Sequence, residues 1–215
     1  PEAHDFTDTF EKLVYHMDEP GAGPGLFPQF MVSKLAAEQV KVVLGGQGGD
    51  EIFGGYARYA VAYLEQCLKG AIFESQEEGS HVVTLNSIIE NLPMLKQYLP
   101  MMKNQFAGGM FDAMDKRYYR LIDRSPNLHK MYDGDFLNQR NEENIAGKFE
   151  KIFNNVETSS YFNKMTYYDM KTLLPSLLQV EDRVSMAVSL ESRVPILDRR
   201  IVELAASMPP TMKFA

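Results

Sequence analysis

The chain has 215 residues, with 22 Lys and Arg against 29 Asp and Glu, giving a formal charge of −7. Hydrophobic residues make up 45% and charged residues 24%, the balance of a soluble globular protein. A chain of this length buries roughly 70% of its unfolded surface and needs no metal or disulfide staple. The acidic balance argues against coating nucleic acid, which needs a basic face. It leaves room for one bound nucleotide whose charge is met locally. No run of about 18 apolar residues is present, so no transmembrane helix is predicted. The one cysteine, Cys67, cannot close an internal disulfide. That fits a reducing compartment, with the cytoplasm as the expected location.

Phe6, Phe10, Leu13, Val14 and Met17 recur at helical spacing and predict an amphipathic helix over 5–18, with Asp5 as N-cap and Pro20-Gly21 as its stop. A loop rich in Pro and Gly follows over 19–26. A second helix is expected over 28–38, with Phe30, Met31 and Leu35 inward. Val40 to Leu44 is a short β-branched run ending at Gly45 and reads as a buried parallel strand between helices. Further helices are predicted over 52–69, 82–97, 107–122, 142–153, 160–171, 174–188 and 198–207. Residues 70–81 and 124–141 read as loops. The fold class is therefore mainly α with a remnant of a parallel α/β sheet. One strand cannot satisfy its own backbone, so a partner strand is either hidden in the pattern or outside the chain.

The chemistry concentrates where this strand ends. Gly45-Gly46-Gln47-Gly48-Gly49-Asp50-Glu51 joins strand to helix. Four glycines in five positions let the backbone turn sharply and bring amides close to a ligand. An open parallel sheet binds ligands at the carboxyl ends of its strands, and the following helix would offer unpaired N–H groups. Asp50 and Glu51 stand in that helix's first turn. Their presence there also follows from helix capping alone. With a polyphosphate nearby, however, Mg²⁺ takes one or two such carboxylates. The string is neither a Walker A loop, since no Gly-Lys-Ser/Thr follows, nor Gly-x-Gly-x-x-Gly.

The second informative stretch is Leu173 to Asp198, which sets Glu181, Asp182, Arg183, Glu191, Arg193 and Asp198 among apolar residues. Such charges are either ion pairs on a solvated face or semi-buried pairs tied to a site. The apolar surroundings predict that some are semi-buried and paired. Structural pairing is the favoured reading over direct catalysis.

Together the two stretches resemble the C-terminal synthetase domain of the glutamine-hydrolysing asparagine synthetases. That family carries Val-Val-Leu-Ser-Gly-Glu-Gly-x-Asp-Glu-Leu-Phe-Gly-Gly-Tyr, then Asp-Arg-x-Ser-Met-Ala, then Glu-x-Arg-x-Pro-Phe-Leu-Asp. The likeness is carried by residues 38–65 and 170–200, while 70–165 matches only in helical character. The resemblance implies an adenine-nucleotide α-hydrolase-like, Rossmann-like synthetase domain, present as a single domain over 1–215. It implies activation of aspartate by ATP and Mg²⁺ to a β-aspartyl adenylate, followed by attack of ammonia. The ammonia would come from a glutaminase domain that is not in this chain. By position, Gly45 and Gly46 fall where the family's backbone contacts ATP, with Gly48 and Glu51 beside them as nucleotide-site candidates. Gln47 falls on the Glu linked to the adenylate step. Asp50 falls on the Asp near pyrophosphate and Mg²⁺, and is the candidate metal ligand. Asp182, Arg183, Glu191 and Arg193 are candidates for the substrate site.

The departures are specific. Gly45 replaces Ser and loses a hydroxyl. Gln47 replaces Glu, and an amide can hydrogen-bond a substrate but cannot act as a general base. The family's Ser-Gly-Gly-x-Asp-Ser pyrophosphate loop is absent; Ala107 to Asp112 has its Asp one place too late, follows no strand and reads as a turn. The chain starts at Pro1 without a leader, and Cys67 lies mid-helix rather than at an N-terminus. The expectation is an internal segment of a longer enzyme, inactive by itself. Three other readings stay open: a related ligase acting on another carboxylate, of the β-lactam synthetase or peptide cyclase type, a non-catalytic binding or assembly module, and a generic helical interaction domain. A homo-oligomer is also left open. His4, His16, His81 and His129 lack metal-binding spacing. Cys67 reads as a small buried apolar residue. The aromatic stretch 161–168 reads as helix packing, and Arg117, Arg120 and Arg124 as a solvated face.

Overall fold

The computed structural model describes residues 1–21, 23–73, 92–110, 112–139 and 142–213. Most of the helix predicted over 82–97, the loop beyond residue 73, and His81 lie outside the described residues. The chain forms two compact units, one made of 1–52 and 169–205, the other of 53–168 and 206–215.

The first unit opens with α1, Ala3–Met17. Its N-cap is Glu2, not Asp5: the Glu2 side chain takes the Asp5 N–H, and the Asp5 carboxylate accepts the Glu2 N–H at 2.7 Å. That bond holds the Asp5 carboxyl below its ordinary pKa. The helix ends where Asp18 turns to a positive φ of 58°. Helix α2, Leu26–Ala37, packs against it. Leu13 and Phe30 meet Val184 in a small core. The apolar face predicted for α1 is only half used, since Leu13 and Met17 are buried while Phe6, Phe10 and Val14 are exposed. Phe6 packs edge-on against Phe27, with ring centroids 5.3 Å apart. Phe30 is inward as expected, but Leu35 is exposed.

Strand β1, Val42–Leu44, is shorter than the predicted 40–44 and has a partner, β2, Glu191–Arg193. The two are parallel, with Val42 opposite Glu191, Val43 opposite Ser192 and Leu44 opposite Arg193. The missing strand was inside the chain. Glu-Ser-Arg has no β-branched or aromatic signal, so its pairing comes from tertiary context. Alternation places Val42, Leu44, Glu191 and Arg193 on one exposed face and half-buried Val43 and Ser192 on the other. The two helices predicted over 160–171 and 174–188 are one, α10, Tyr161–Met186, which continues through Pro175. Proline removes one N–H from such a helix without ending it when the flanking turns hold. The segment Asp169–Ala205 belongs to the first unit. Ser189, at φ 57°, then redirects the chain into β2. A 3₁₀ turn, Pro195–Leu197, leads into α11, Arg199–Ser207.

The predicted helix 52–69 is instead a five-residue α3, Gly49–Phe53, and a separate α4, Ala57–Phe73. The break falls at Gly54, whose φ is 82°, a conformation few other residues adopt. Helix α4 is the centre of the second unit. It packs against α5 (Leu92–Leu95), α6 (Leu99–Phe106) and α7 (Met114–Ile122). Helices α8, Gly134–Asn138, and α9, Glu142–Phe153, follow, and α12, Pro210–Lys213, closes the described chain. Tyr59, Tyr63, Tyr118, Phe149, Phe153, Tyr161, Phe162 and Met165 form the core, with Cys67 buried among them. Tyr118 stacks on Phe153 at 5.5 Å. The aromatic stretch from residue 161 is therefore packing, as its spacing predicts.

The predicted helix 107–122 starts only at Met114. Residues 107–110, 112 and 113 lie outside any helix, with Gly109 at φ 68°, so the described part of Ala107 to Asp112 turns as read. Arg117 corrects the solvated-face reading: it is 1% exposed. Its guanidinium donates to both Glu65 carboxylate oxygens and to the carbonyls of Gln105 and Gly108. Arg120 also donates to the Gly108 carbonyl, at 3.0 Å. Among the described residues no helix is long and apolar enough to cross a membrane.

Candidate functional site

Glycine makes the bend after β1 possible, and the neighbouring strand fixes where it starts. Gly45 N–H donates to the Arg193 carbonyl at 2.7 Å, extending the ladder one step beyond β1. At Gly48 φ is +93°, and a Cβ there would run into the Leu197 Cδ2 methyl. Gly49 N–H closes back on the Gly46 carbonyl at 3.3 Å, and Ile52 N–H donates to Gly48 at 3.1 Å. The bend thus lies at the carboxyl ends of both parallel strands, packed on one side by the turn Pro195–Leu197. Its other side is open: Gly46 is exposed, and a Cβ there would meet nothing within 4 Å. No backbone carbonyl among the described residues accepts the N–H groups of Gly46, Gln47 or Gly48.

Asp50 and Glu51 are neighbours in sequence but not in surroundings. Asp50 is exposed, whereas Glu51 is 1% exposed and has a partner inside the fold. The five residues of α3 are too few to build the dipole expected after the bend. Any anion held here would be met by the bend's own amides, not by a long helix.

The charged residues of the second stretch do not converge. Asp182 and Arg183 are exposed, and Arg183 pairs with Asp18 at 3.4 Å and with Asp182 at 3.9 Å, beside the end of α1. Glu191 and Arg193 pair with each other at 2.8 Å on the exposed face of the sheet. The expectation of semi-buried pairs is corrected for these four: they are solvent-facing pairs, of the kind that contributes little to stability. Asp198 is clamped by Arg200, whose guanidinium and backbone N–H hold its carboxyl below the ordinary range.

The residue that fits the semi-buried description is Glu181. It is half-buried, accepts the Ser192 hydroxyl, and sets its carboxylate against the Cα of Gly45. The expectation of a semi-buried, paired charge in this stretch holds for Glu181, which was left out of the substrate-site candidates because Asp182 carries the recognisable motif. The available signal was spacing: Glu181 lies one residue from the solvent-facing side of α10, next to buried Val184.

The donor set suits a nucleotide with Mg²⁺ in one respect. An open glycine backbone with unpaired amides stands beside one exposed carboxylate, Asp50, and Mg²⁺ needs little protein ligation when phosphate oxygens are present. Among the described residues no cluster of three or more His, Cys, Asp or Glu exists, so this is no all-protein metal cage.

Comparison with known proteins adds a finding that geometry does not. Residues 2–215 match the family model described as asparagine synthase, which includes the middle of the chain where motif likeness is weak. A Bacillus subtilis protein named asparagine synthetase [glutamine-hydrolyzing] 1 is 29% identical over 218 residues, covering 97% of this chain and 31% of its own length. A putative asparagine synthetase [glutamine-hydrolyzing] of Mycobacterium bovis is 28% identical over 98% of this chain and 30% of its own. A Methanocaldococcus jannaschii counterpart reaches 42% over 95 residues, 43% of this chain and 18% of its own. The chain thus spans about a third of the length of the relatives that match nearly all of it. No solved structure shows significant similarity to it.

Proposed function

Because the chain belongs to the asparagine synthase family, we propose that it supplies the nucleotide-binding bend of a ligase that makes asparagine from aspartate, ATP and glutamine-derived ammonia. The observation that carries this reading is the bend at the carboxyl end of β1, open at exposed Gly46, where no backbone carbonyl among the described residues accepts the N–H groups of Gly46, Gln47 or Gly48, beside an exposed carboxylate at Asp50.

The chemistry follows from where charge develops. Attack of the aspartate side chain on the α-phosphate yields a β-aspartyl adenylate and pyrophosphate, and ammonia then displaces AMP. The bend's amides would stabilise negative charge on the phosphate chain, as donors held by the fold that need little reorganisation. Asp50 is the residue that would hold Mg²⁺, and the ion would neutralise the departing pyrophosphate. Gln47 hydrogen-bonds a substrate oxygen or nitrogen without taking its proton. Glu51, being buried, supports α3 from within. The ammonia source is a glutaminase domain elsewhere in the assembly.

The test is aspartate-dependent pyrophosphate release by the full-length protein with ATP, Mg²⁺ and either glutamine or ammonium. Release together with asparagine formation supports the reading. Release with a different carboxylate only would move the protein to a related ligase, and absence of any nucleotide binding would make it an assembly module.

A further inference from the structure

Position 45 is unusual for what surrounds it. Gly45 has no positive φ, so its backbone would accept a side chain, yet the space a Cβ would take is filled. The Glu181 carboxylate occupies it, and the Ser192 hydroxyl lies 3.3 Å from the same point. Ser192 donates its hydroxyl proton to that carboxylate. The arrangement follows from the sheet: Ser192 is opposite Val43, and residue 45 shares the face of residue 43. The hydroxyl at 192 therefore reaches over the strand pair to the place where a side chain at 45 would stand. The same strand also ties this residue through its backbone, Gly45 N–H to the Arg193 carbonyl at 2.7 Å. The first residue of the bend is thus gripped through its amide and across its Cα.

We infer that Glu181 and Ser192 are positioning residues of the bend: the Glu181 carboxylate, held by the Ser192 hydroxyl, fills the side-chain space over Gly45 and sets the angle at which the following amides meet a nucleotide. The inference rests on the proposed nucleotide-binding role for its functional half. Its structural half stands alone. A carboxylate facing a phosphate chain would repel it; satisfied by the hydroxyl and turned onto a Cα, this one is kept off the ligand side.

Two measurements on the full-length protein decide it. The first is a thermal-unfolding cycle with G45A, E181A and the double variant. The added methyl collides with Glu181, so G45A lowers Tm; with the carboxylate gone the methyl fits, and the double variant loses less than the sum of the singles. Additive losses overturn the clamp. The second compares S192A with S192T for ATP-dependent pyrophosphate release. S192A frees the carboxylate and raises the ATP KM about tenfold, with a smaller change in kcat, while S192T keeps the hydroxyl and stays close to wild type. Equal shifts in the two variants, or a change in Tm without a change in KM, overturn the positioning role. If the wild type turns over no ATP, the proposed function falls by itself, and the Tm cycle still judges the clamp.

Discussion

Arg117 and Glu65 meet in a two-pronged ion pair inside the second unit, Nε to Oε1 and Nη2 to Oε2 both at 2.7 Å, with neither side chain more than 1% exposed. Gln105 Nε2 adds a bond to Glu65 at 2.9 Å, and Lys69 lies 3.5 Å from the same carboxylate. The network joins α4, α6 and α7. Removing one partner leaves a buried charge uncompensated, which costs about 3–5 kcal/mol. R117A and E65A should therefore each lower the urea midpoint strongly, while R117M/E65L should recover most of the loss. A double variant as weak as the singles would show that the pair is not self-contained.

Gly48 tests the bend from its other end. Its φ of +93° and the Leu197 side chain beside it both oppose a methyl group. G48A should cost about 1–3 kcal/mol. Trimming with L197A removes the collision but leaves the backbone conformation, so only part of the loss returns. Equilibrium unfolding of the three variants separates the two contributions.

Asp50 carries the metal in the proposed reaction. D50N keeps the shape and removes the charge, so kcat/KM for ATP should fall about 10²-fold, and excess Mg²⁺ should recover little of it. A wild-type rate in D50N, followed by pyrophosphate release across a Mg²⁺ titration, would remove Asp50 from the site.

Gln47 stands where the motif that this stretch resembles carries Glu. Q47E places a carboxylate at that position. If the amide is an adaptation for hydrogen bonding, Q47E should leave the rate unchanged or lower it; a gain of about tenfold or more in kcat would mark the natural site as degenerate.

Lys213 gives a pH signature. Partial burial beside the Phe162 ring, 5.1 Å from its centroid, pulls its pKa down to about 8 from 10.5. The folded chain therefore releases this proton earlier than the unfolded chain. Between about pH 8 and 10.5 the unfolded state binds more protons, so this group favours folding increasingly as pH rises through that window. Below it, charging the lysine opposes folding. K213M should be the more stable form at pH 7, and its advantage over wild type should shrink by pH 10 in parallel unfolding titrations.

How much was legible beforehand depended on whether the signal was local. The Gly45 to Gly49 bend was readable because its turn at Gly48 needs a positive φ that favours glycine, and β1 because Val-Val-Leu before glycine has few other readings. Strand β2 was not, since Glu191, Ser192 and Arg193 gain their strand character solely from Val42 to Leu44. Arg117 looked like a surface residue because its partners lie 52 residues away at Glu65 and 12 away at Gln105. The candidate substrate residues were recognisable as a motif, but a motif does not say which way side chains point. Glu181 stood beside the motif and holds the bend, while Glu191 and Arg193 occupy the other face of the sheet.

The pairing of β1 with β2 has a consequence for the order of events during synthesis. Val42 leaves the ribosome long before its partner Glu191, and the whole second unit apart from its last ten residues is made in between. The early strand must wait, unpaired, through more than a hundred residues of translation. Closing so long a loop is slow and entropically costly. The bend therefore takes its final shape late, and slow maturation of nucleotide binding after refolding would be its kinetic mark.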